Sequence, residues 1–212
     1  MTLNYNDTLD EEVKTWNIED PIKRQEKIQR ETIRHHKLKK DLLLDELDTA
    51  NMDICEVGGG PSPVSNLLPF NDRVVFDPCT NEYKKYFNCP DHLNVKIEDV
   101  EFVTKFDLVL ATNSLDHVEY PYIAMRKMSE LCKPGGYIGI VCAENNAITN
   151  PHPCHVHNLT SEMVHYCFDR DFETVWELNY KKDNYRYGWV EYQGKRGQPA
   201  FAILFRKCTG YE

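Results

Sequence analysis

Long apolar segments, paired cysteines and secretion signals are missing from this sequence. No run approaches the roughly 18 apolar residues that a membrane-spanning helix needs, so we expect no membrane partner. The eight cysteines form no Cys-x-x-Cys pair, and several lie inside apolar runs, which is typical of reduced and buried thiols. The first residues do not have the pattern of a secretory signal, which favours a cytoplasmic location.

Positive charge is also in short supply. The 212 residues carry 25 Lys and Arg against 34 Asp and Glu, a formal net charge of −9. Long-range repulsion therefore disfavours extensive binding to nucleic acid or to an anionic membrane, although a local basic patch is still compatible with it. The length suits one α/β domain, or one such domain with a small cap.

The first fifty residues differ from the rest in their charge and hydrophobic pattern. Residues 1–20 are acidic and polar, and we expect them to be irregular or loosely docked. Residues 23–40 are basic, and neither Gly nor Pro interrupts the chain from 22 to 50. Apolar residues that fall roughly on one face predict one or two helices here: Ile28, Ile33, Leu38, Leu42, Leu43 and Leu47. This basic segment is either a solvated face or a helix that covers a ligand site. We therefore divide the chain into an arm with cap helices at 1–50 and a main domain at 51–212.

Short apolar runs alternate with helical or turn-rich segments after residue 51. The predicted strands are 52–57, 73–76, 93–97, 106–112, 137–142, 172–178 and 200–206. The predicted helices are 81–87, 122–132 and 160–167, the last with Thr160 as its N-cap. This alternation predicts a doubly wound, Rossmann-like α/β sheet of seven mainly parallel strands. The last two strands have only one weak helical segment between them, which indicates an antiparallel hairpin at the edge.

A glycine turn ends the first predicted strand. Gly58, Gly59 and Gly60 follow Glu56, and Asp77 with Pro78 ends the next strand. Ligands of open α/β sheets bind at the carboxyl ends of the strands, and an acid at the second strand end accepts hydrogen bonds from a ribose diol. The pattern therefore predicts an adenosine-containing ligand, and a tight turn without a ligand is the alternative.

Two features distinguish between adenosine ligands. Pro63 occupies the place of the third glycine in a dinucleotide-binding turn. The carboxylate of Glu56 would repel a pyrophosphate but suits a cationic amino-acid tail and a sulfonium. S-adenosyl-L-methionine is therefore the favoured cofactor, and a nicotinamide nucleotide of an oxidoreductase is the competing one.

Five motifs in order resemble those of class I S-adenosylmethionine-dependent methyltransferases, over roughly residues 50–180. They are similar to the motifs of the small-molecule branch, which includes ubiquinone-biosynthesis methyltransferases. The matching positions are Glu56, Gly58 and Gly60 of the first motif, the ribose-binding Asp77, the adenine-contacting pair Glu98 and Asp99, the fourth strand 106–110 with the following 113–118, and the helix end 131–136. The crowded loop 58–63 departs from the family pattern. The resemblance implies methyl transfer to O, N or C of a small-molecule acceptor.

The segment after the fourth strand is expected to border the transferred methyl group. Asn113 and Ser114 are predicted cofactor contacts there. His117 is a candidate general base because histidine titrates near neutral pH, and the alternative is a packed histidine that props the loop.

A second group of candidates lies in the segment 152–157, which contains three His and one Cys. Its spacing fits no standard zinc template, so we predict no metal ligand and keep metal binding as a disfavoured alternative. An acceptor-facing loop is favoured, with His155 or His157 as a base or acceptor contact, and a plain structural loop is the alternative.

Other acceptors and roles stay open at this point. Aromatic residues interleave with cations over 180–196, a pattern that can stack on bases and neutralise phosphates. Together with the basic segment 23–40, it supports the alternative of a methyltransferase acting on RNA, DNA or protein, although the acidic balance disfavours nucleic acid. A non-catalytic cofactor-binding subunit is a further alternative, and the oligomeric state is unknown.

Overall fold

A computed structural model describes residues 5–16, 19–101, 104–149, 151–179 and 200–210. Its α-helices are α1 Tyr5–Thr15, α2 Pro21–Asp41, α3 Thr80–Tyr83, α4 Pro121–Leu131, α5 Asn146–Thr149 and α6 Ser161–Phe168. Its strands are β1 Asp53–Val57, β2 Asp72–Phe76, β3 His92–Leu93, β4 Phe106–Thr112, β5 Cys132–Ala143, β6 Phe172–Asn179 and β7 Ala200–Lys207. Single 3₁₀ turns occur at Leu44–Glu46, Thr49–Asn51, Val64–Leu67 and Ile97–Asp99.

The seven strands form one sheet in the order β3-β2-β1-β4-β5-β7-β6. The neighbours from β3 to β5 pair in parallel, whereas β7 is antiparallel to both β5 and β6. The predicted mainly parallel sheet with an antiparallel hairpin at its edge is confirmed. The chain runs outward from β1 through β2 to β3 and then returns to β4 on the other side of β1. The carboxyl ends of β1 and β4 therefore form the crevice where such sheets bind ligands.

Alternation along β4 divides the core into two layers. Val109 and Ala111 belong to the cluster covered by α4 and α6. Leu108 and Leu110 point to the opposite cluster, together with the C-terminal part of α2. Because β4 is buried on both faces, it consists almost entirely of apolar residues, which is why the sequence predicted its bounds correctly.

The third predicted strand is only partly correct. Pairing with β2 is restricted to two residues, His92 and Leu93. The chain then turns, with the Val95 N–H donating to the Leu93 carbonyl at 3.0 Å, and the segment that was predicted to continue the strand enters a 3₁₀ turn at Ile97–Asp99. A short apolar run does not by itself set the length of an edge strand, because pairing on only one side is available there.

One long helix, α2, forms where the sequence predicted one or two helices. Its N-cap Asp20 accepts hydrogen bonds from the N–H groups of Ile22 and Lys23. The buried positions follow helical spacing: Glu31, His35, Leu38 and, just after the helix, Leu42. The prediction that Ile33 shares this face is wrong, since its side chain is 73% exposed. The buried face is thus polar near its middle and apolar at its end.

The prediction of an irregular N-terminus is wrong for Tyr5–Thr15, which form α1. The helix is fixed by an aromatic cluster in which the buried Trp16 packs against Tyr83 and Cys79, with Leu9 and Val13 at its side. The sequence did not predict this helix because its composition is acidic and only a few apolar residues dock it. Polar residues occupy most of its length.

Two further sequence observations have structural outcomes. Six of the eight cysteines are buried and all are unpaired. Within the described ranges, no helix is both long enough and apolar enough to cross a membrane. The aromatic and basic stretch 180–196 lies outside the described residues.

The C-cap of α2 and an exposed position within the helix yield a stability prediction. Leu42→Ala removes a side chain that is 0% exposed and packs near Gly139 beneath the sheet, so we expect a loss of about 2–5 kcal/mol in the free energy of unfolding. Ile33→Ala, at an exposed position, should change it by less than about 0.5 kcal/mol. Urea unfolding followed by circular dichroism measures both. Equal losses for the two variants would contradict the orientation of α2.

Candidate active site

A pocket with a volume of about 300 Å³ opens at the carboxyl ends of β1 and β4. The sheet side contributes Gly58, Gly59, Gly60, Ser62, Asp77, Pro78, Cys79, Thr112, Asn113, Ser114, His117 and Val118. The first two helices and Trp16 cover it with Tyr5, Thr8, Leu9, Glu12, Thr15, Trp16, Lys27, Glu31, Arg34 and His35. The segment 152–157 adds His152, Cys154 and His155. This volume lies at the lower end of the range for small-molecule sites.

The glycine turn has a backbone shape and a packing that exclude side chains. Gly58 and Gly60 have positive φ angles of 65° and 57°. A Cβ on Gly58 would lie 2.5 Å from the Cβ of Ser114, and one on Gly60 would lie 3.0 Å from the Cζ2 of Trp16. The turn is also held to the next strand, since the Gly58 N–H donates to the Phe76 carbonyl at 2.8 Å. Backbone atoms are therefore exposed to the pocket at this point.

Glu56 does not line the pocket, in contrast to the interpretation that it faces a cationic ligand tail. Its fully buried carboxylate accepts the N–H groups of Val64 at 2.9 Å and Ser65 at 2.8 Å. The hydroxyl of Thr112, at the end of β4, donates to the same carboxylate at 3.3 Å. Glu56 thus fixes the loop that follows the glycine turn and ties this loop to β4.

Asp77 combines two roles at the end of β2. Its carboxylate accepts the Gly60 N–H at 2.9 Å and the Cys79 N–H at 2.8 Å, and the residue lines the pocket. Burial, which disfavours the charged form, raises the pKa of Asp77 to about 6 despite these two hydrogen bonds. His92 supports the same turn by donating from Nε2 to the Gly60 carbonyl at 2.8 Å.

The end of β4 brings Asn113 and Ser114 to the pocket. Asn113 has a positive φ of 56°, and its N–H donates to the Val141 carbonyl at 2.7 Å. The Ser114 hydroxyl donates to the Val57 carbonyl at 2.7 Å. The two residues therefore join the ends of β1, β4 and β5 and form the floor beside the glycine turn.

His117 is held between two carboxylates. Its Nδ1 donates to Oε2 of Glu12 at 3.1 Å, and its Nε2 lies 3.6 Å from Oδ2 of Asp116. Burial alone would lower the pKa of His117, but the charges of Asp116 and Glu12 outweigh it and raise this pKa to about 9. In the same pair, the cation of His117 outweighs burial and lowers the pKa of Glu12 to about 2. A histidine that is protonated at neutral pH has no lone pair to accept a proton, so the geometry does not favour His117 as a general base.

The segment 152–157 places its histidines differently. The ring of His155 lies at the pocket, 5.1 Å from the ring of His117 and 5.6 Å from that of His152. His157 is not among the lining residues. Its Nε2 instead donates to the carbonyls of Val118 at 2.8 Å and Glu119 at 3.2 Å. His155 therefore stays a candidate acceptor contact, whereas His157 fastens the segment to the chain after β4.

Glu98 and Asp99 are not brought to the pocket. Oε1 of Glu98 accepts the N–H groups of Glu119 at 2.9 Å and Tyr120 at 3.0 Å, which places this carboxylate at the start of α4. Asp99 is exposed. The structure thus gives Glu98 a bracing role, and neither acid is among the described residues that line the pocket.

The sequence left the basic segment 23–40 open as a solvated face or a helix that covers a ligand site, and residues of α2 do line the pocket, whereas the contribution of α1 was not predicted. Lys27 lies with its Nζ 4.9 Å from the ring centroid of Trp16, and Arg34 pairs with Glu31 at 2.9 Å. Burial lowers the pKa of Lys27 and lowers that of His35 to about 3. The sequence signal that could have revealed this cover is the helical spacing of Glu31, His35 and Leu38. It places polar residues on the same face as the apolar residues that dock the helix.

Comparisons with known proteins agree with this architecture. A family model described as a methyltransferase domain matches residues 24–178. The N-methyltransferase NodS from Bradyrhizobium japonicum, solved with S-adenosyl-L-homocysteine, is similar in fold with a TM-score of 0.62 and 17% identity, over 97% of this chain and 99% of that chain. A chain from the complex of the Haloferax volcanii Trm112 methyltransferase activator with a methyltransferase gives 0.64 and 11%, over 88% and 95%. No curated protein matches.

The identities are low enough that the solved structures establish the fold alone, whereas the family model covers most of the chain. It also spans the glycine turn, Asp77 and the end of β4, which form the pocket. As the order of the motifs predicted, the chain belongs to the methyltransferase-domain family, within the class I S-adenosylmethionine-dependent methyltransferases.

Proposed function

We propose that this protein transfers a methyl group from S-adenosyl-L-methionine to a small-molecule acceptor. The observation that carries the proposal is the pocket at the switch point of the sheet, where the glycine turn, Asp77 and the Asn113–Ser114 floor meet under α1 and α2. Family membership supports the same activity.

The residues present fit the cofactor. The carboxylate of Asp77 retains acceptor capacity beside its two backbone partners and would receive the ribose hydroxyls. The glycine turn, followed by Pro78 at the next strand end, lets the ligand approach backbone atoms. Lys27 is a half-buried cation that would face the carboxylate of the amino-acid tail.

S-adenosylmethionine supplies an activated methyl group, so the protein mainly has to align the acceptor and exclude water. Trp16 and Glu12 cover the pocket on one side and provide this exclusion. Asn113 and His155 border the remaining space, and we assign them to the acceptor side. Good alignment of this kind supplies about 7–11 kcal/mol of barrier reduction.

A small acceptor fits the covered pocket better than a polymer does. Two helices lie over the site, and the net charge of −9 opposes a polyanion. NodS, which shares the fold, is described as an N-methyltransferase, and we extend to this chain only methyl transfer, not the acceptor atom. Binding of S-adenosyl-L-homocysteine, measured by isothermal titration calorimetry, tests the proposal, and a protein that binds neither this product nor the methyl donor would contradict it.

The ribose contact gives a mutational prediction. Asp77→Asn removes the charge but keeps one acceptor oxygen for the turn, so we expect S-adenosyl-L-homocysteine to bind about 10–100-fold more weakly, as for the loss of a charge-assisted hydrogen bond. Asp72→Asn, at the exposed start of the same strand, is the matched control and should bind within about twofold of the unmodified protein. Calorimetry with both variants, after their thermal stability has been checked, decides the matter. Unchanged affinity in Asp77→Asn would refute the assigned contact.

The pKa of Asp77 predicts a pH dependence. Hydroxyl donors bind the ionised carboxylate, and the raised pKa of about 6 means that this form is lost as the pH falls through 6. The affinity for S-adenosyl-L-homocysteine should therefore be constant between pH 7 and 8 and fall by about tenfold per unit below pH 6. In Asp77→Asn the slope near pH 6 should disappear. A slope that persists in this variant would assign the titration to another group.

A further inference from the structure

Asp116, His117 and His155 form a compact group beside the pocket. Each offers one ligand atom, and these atoms all lie within 4.8 Å of one another. Asp116 is fully buried, while His117 and His155 line the pocket. A buried carboxylate facing two imidazoles differs from the solvated acidic clusters that occur on protein surfaces without a metal.

The orientation of His117 is the second observation. Its Nδ1 donates to Glu12, and its buried Nε2 has no hydrogen-bond partner among the residues that the structure describes. This is how ligating histidines are oriented in metal sites, where the nitrogen that does not bind the metal donates to a carboxylate. The distance of 3.6 Å from Nε2 to Oδ2 of Asp116 is long for a hydrogen bond. It is close to the separation of about 3–3.5 Å between two ligands that each lie about 2.0–2.2 Å from one ion.

From this geometry we propose that Asp116, His117 and His155 bind a divalent transition-metal ion of the Zn²⁺ class. Two imidazoles and one carboxylate suit Zn²⁺, Fe²⁺ or Co²⁺ rather than the oxygen-seeking Mg²⁺ and Ca²⁺. The carboxylates that favour positive charge on His117 equally favour a metal cation in place of the proton. The sequence prediction of no metal ligand rested on the spacing within the segment 152–157, and His155 is the only member of the group that lies in this segment.

Three protein ligands leave coordination positions open, as in catalytic rather than structural metal sites. Because His117 and His155 border the pocket, these positions face the space assigned to the acceptor. Resting on the proposed function, the proposal extends to the acceptor class, a hydroxyl compound that binds the ion through oxygen. The ion lowers the pKa of the coordinated hydroxyl, and its proton passes to solvent. The oxygen pair then forms the bond to the methyl carbon while the carbon–sulfur bond breaks with its pair left on sulfur.

The test is titration of metal-free protein with Co²⁺, followed by visible absorption and by competition with Zn²⁺. We expect one equivalent to bind, and expect His117→Ala and His155→Ala each to weaken binding at least tenfold. Glu12→Gln should weaken it by about tenfold, since it removes only the carboxylate behind His117. His165→Ala is the matched control, because His165 also lies near two carboxylates, Asp169 and Glu177, but away from the pocket. It should bind as the unmodified protein does.

Four results overturn the proposal. The first two concern the unmodified protein: Co²⁺ binding that does not saturate, and a stoichiometry that does not reach one. The third is unchanged affinity in both His117→Ala and His155→Ala when thermal melting shows both variants to be folded. The fourth is a loss of affinity in His165→Ala equal to that in these two variants. Azide added to the Co²⁺ protein probes the open positions, and an unchanged spectrum would overturn the assignment of the acceptor to the metal.

Calorimetry with S-adenosyl-L-homocysteine on the metal-free protein separates this proposal from the proposed function. Binding of this product without binding of Co²⁺ overturns the metal site alone. Binding of Co²⁺ without this product supports the metal site and overturns the proposed function.

Discussion

The buried carboxylate of Glu56 is the constraint on which the pocket depends. A carboxyl group is stable away from water only if hydrogen-bond partners surround it, and here two backbone N–H groups and the hydroxyl of Thr112 do so. These donors come from the loop after the glycine turn and from the end of β4. The loop therefore has one favourable path, which sets the position of Gly58 to Gly60. Asp77 then fastens the same turn from β2 through Gly60.

The helical cover follows from this rigid floor. Trp16 packs where a side chain on Gly60 would otherwise stand, so the absence of a Cβ in the turn creates the docking place for the end of α1. Glu12, one turn earlier on the helix, pairs with His117. α2 is anchored beneath the sheet by Leu38 and Leu42, which directs its polar part, Glu31 and His35, toward the pocket. Apolar contacts outside the pocket thus position polar side chains within it.

The sequence was informative where one element alone determines a position, and less so where several elements meet. Buried strands such as β4 and the strand-end residue Asp77 follow from local patterns. The direction of the Glu56 side chain does not, because it depends on the path of a loop that local propensity leaves open. Glu98 likewise has its partners at the start of α4. The meeting of His117 with Glu12 and His155 joins three distant segments, and only the packed fold brings them together.

This junction links the helix that covers the pocket to the histidine beside it. The Nδ1 bond to Glu12 sets the ring of His117 so that Nε2 points toward Asp116. Because Glu12 belongs to α1, the position of this helix contributes to the orientation of the ring. A cation bound at Nε2 strengthens the hydrogen bond from Nδ1 to Glu12. Because thermodynamic coupling is reciprocal, docking of α1 also stabilises the cation. A ligand that favours cation binding at Nε2 therefore also favours the docked position of α1 over the pocket.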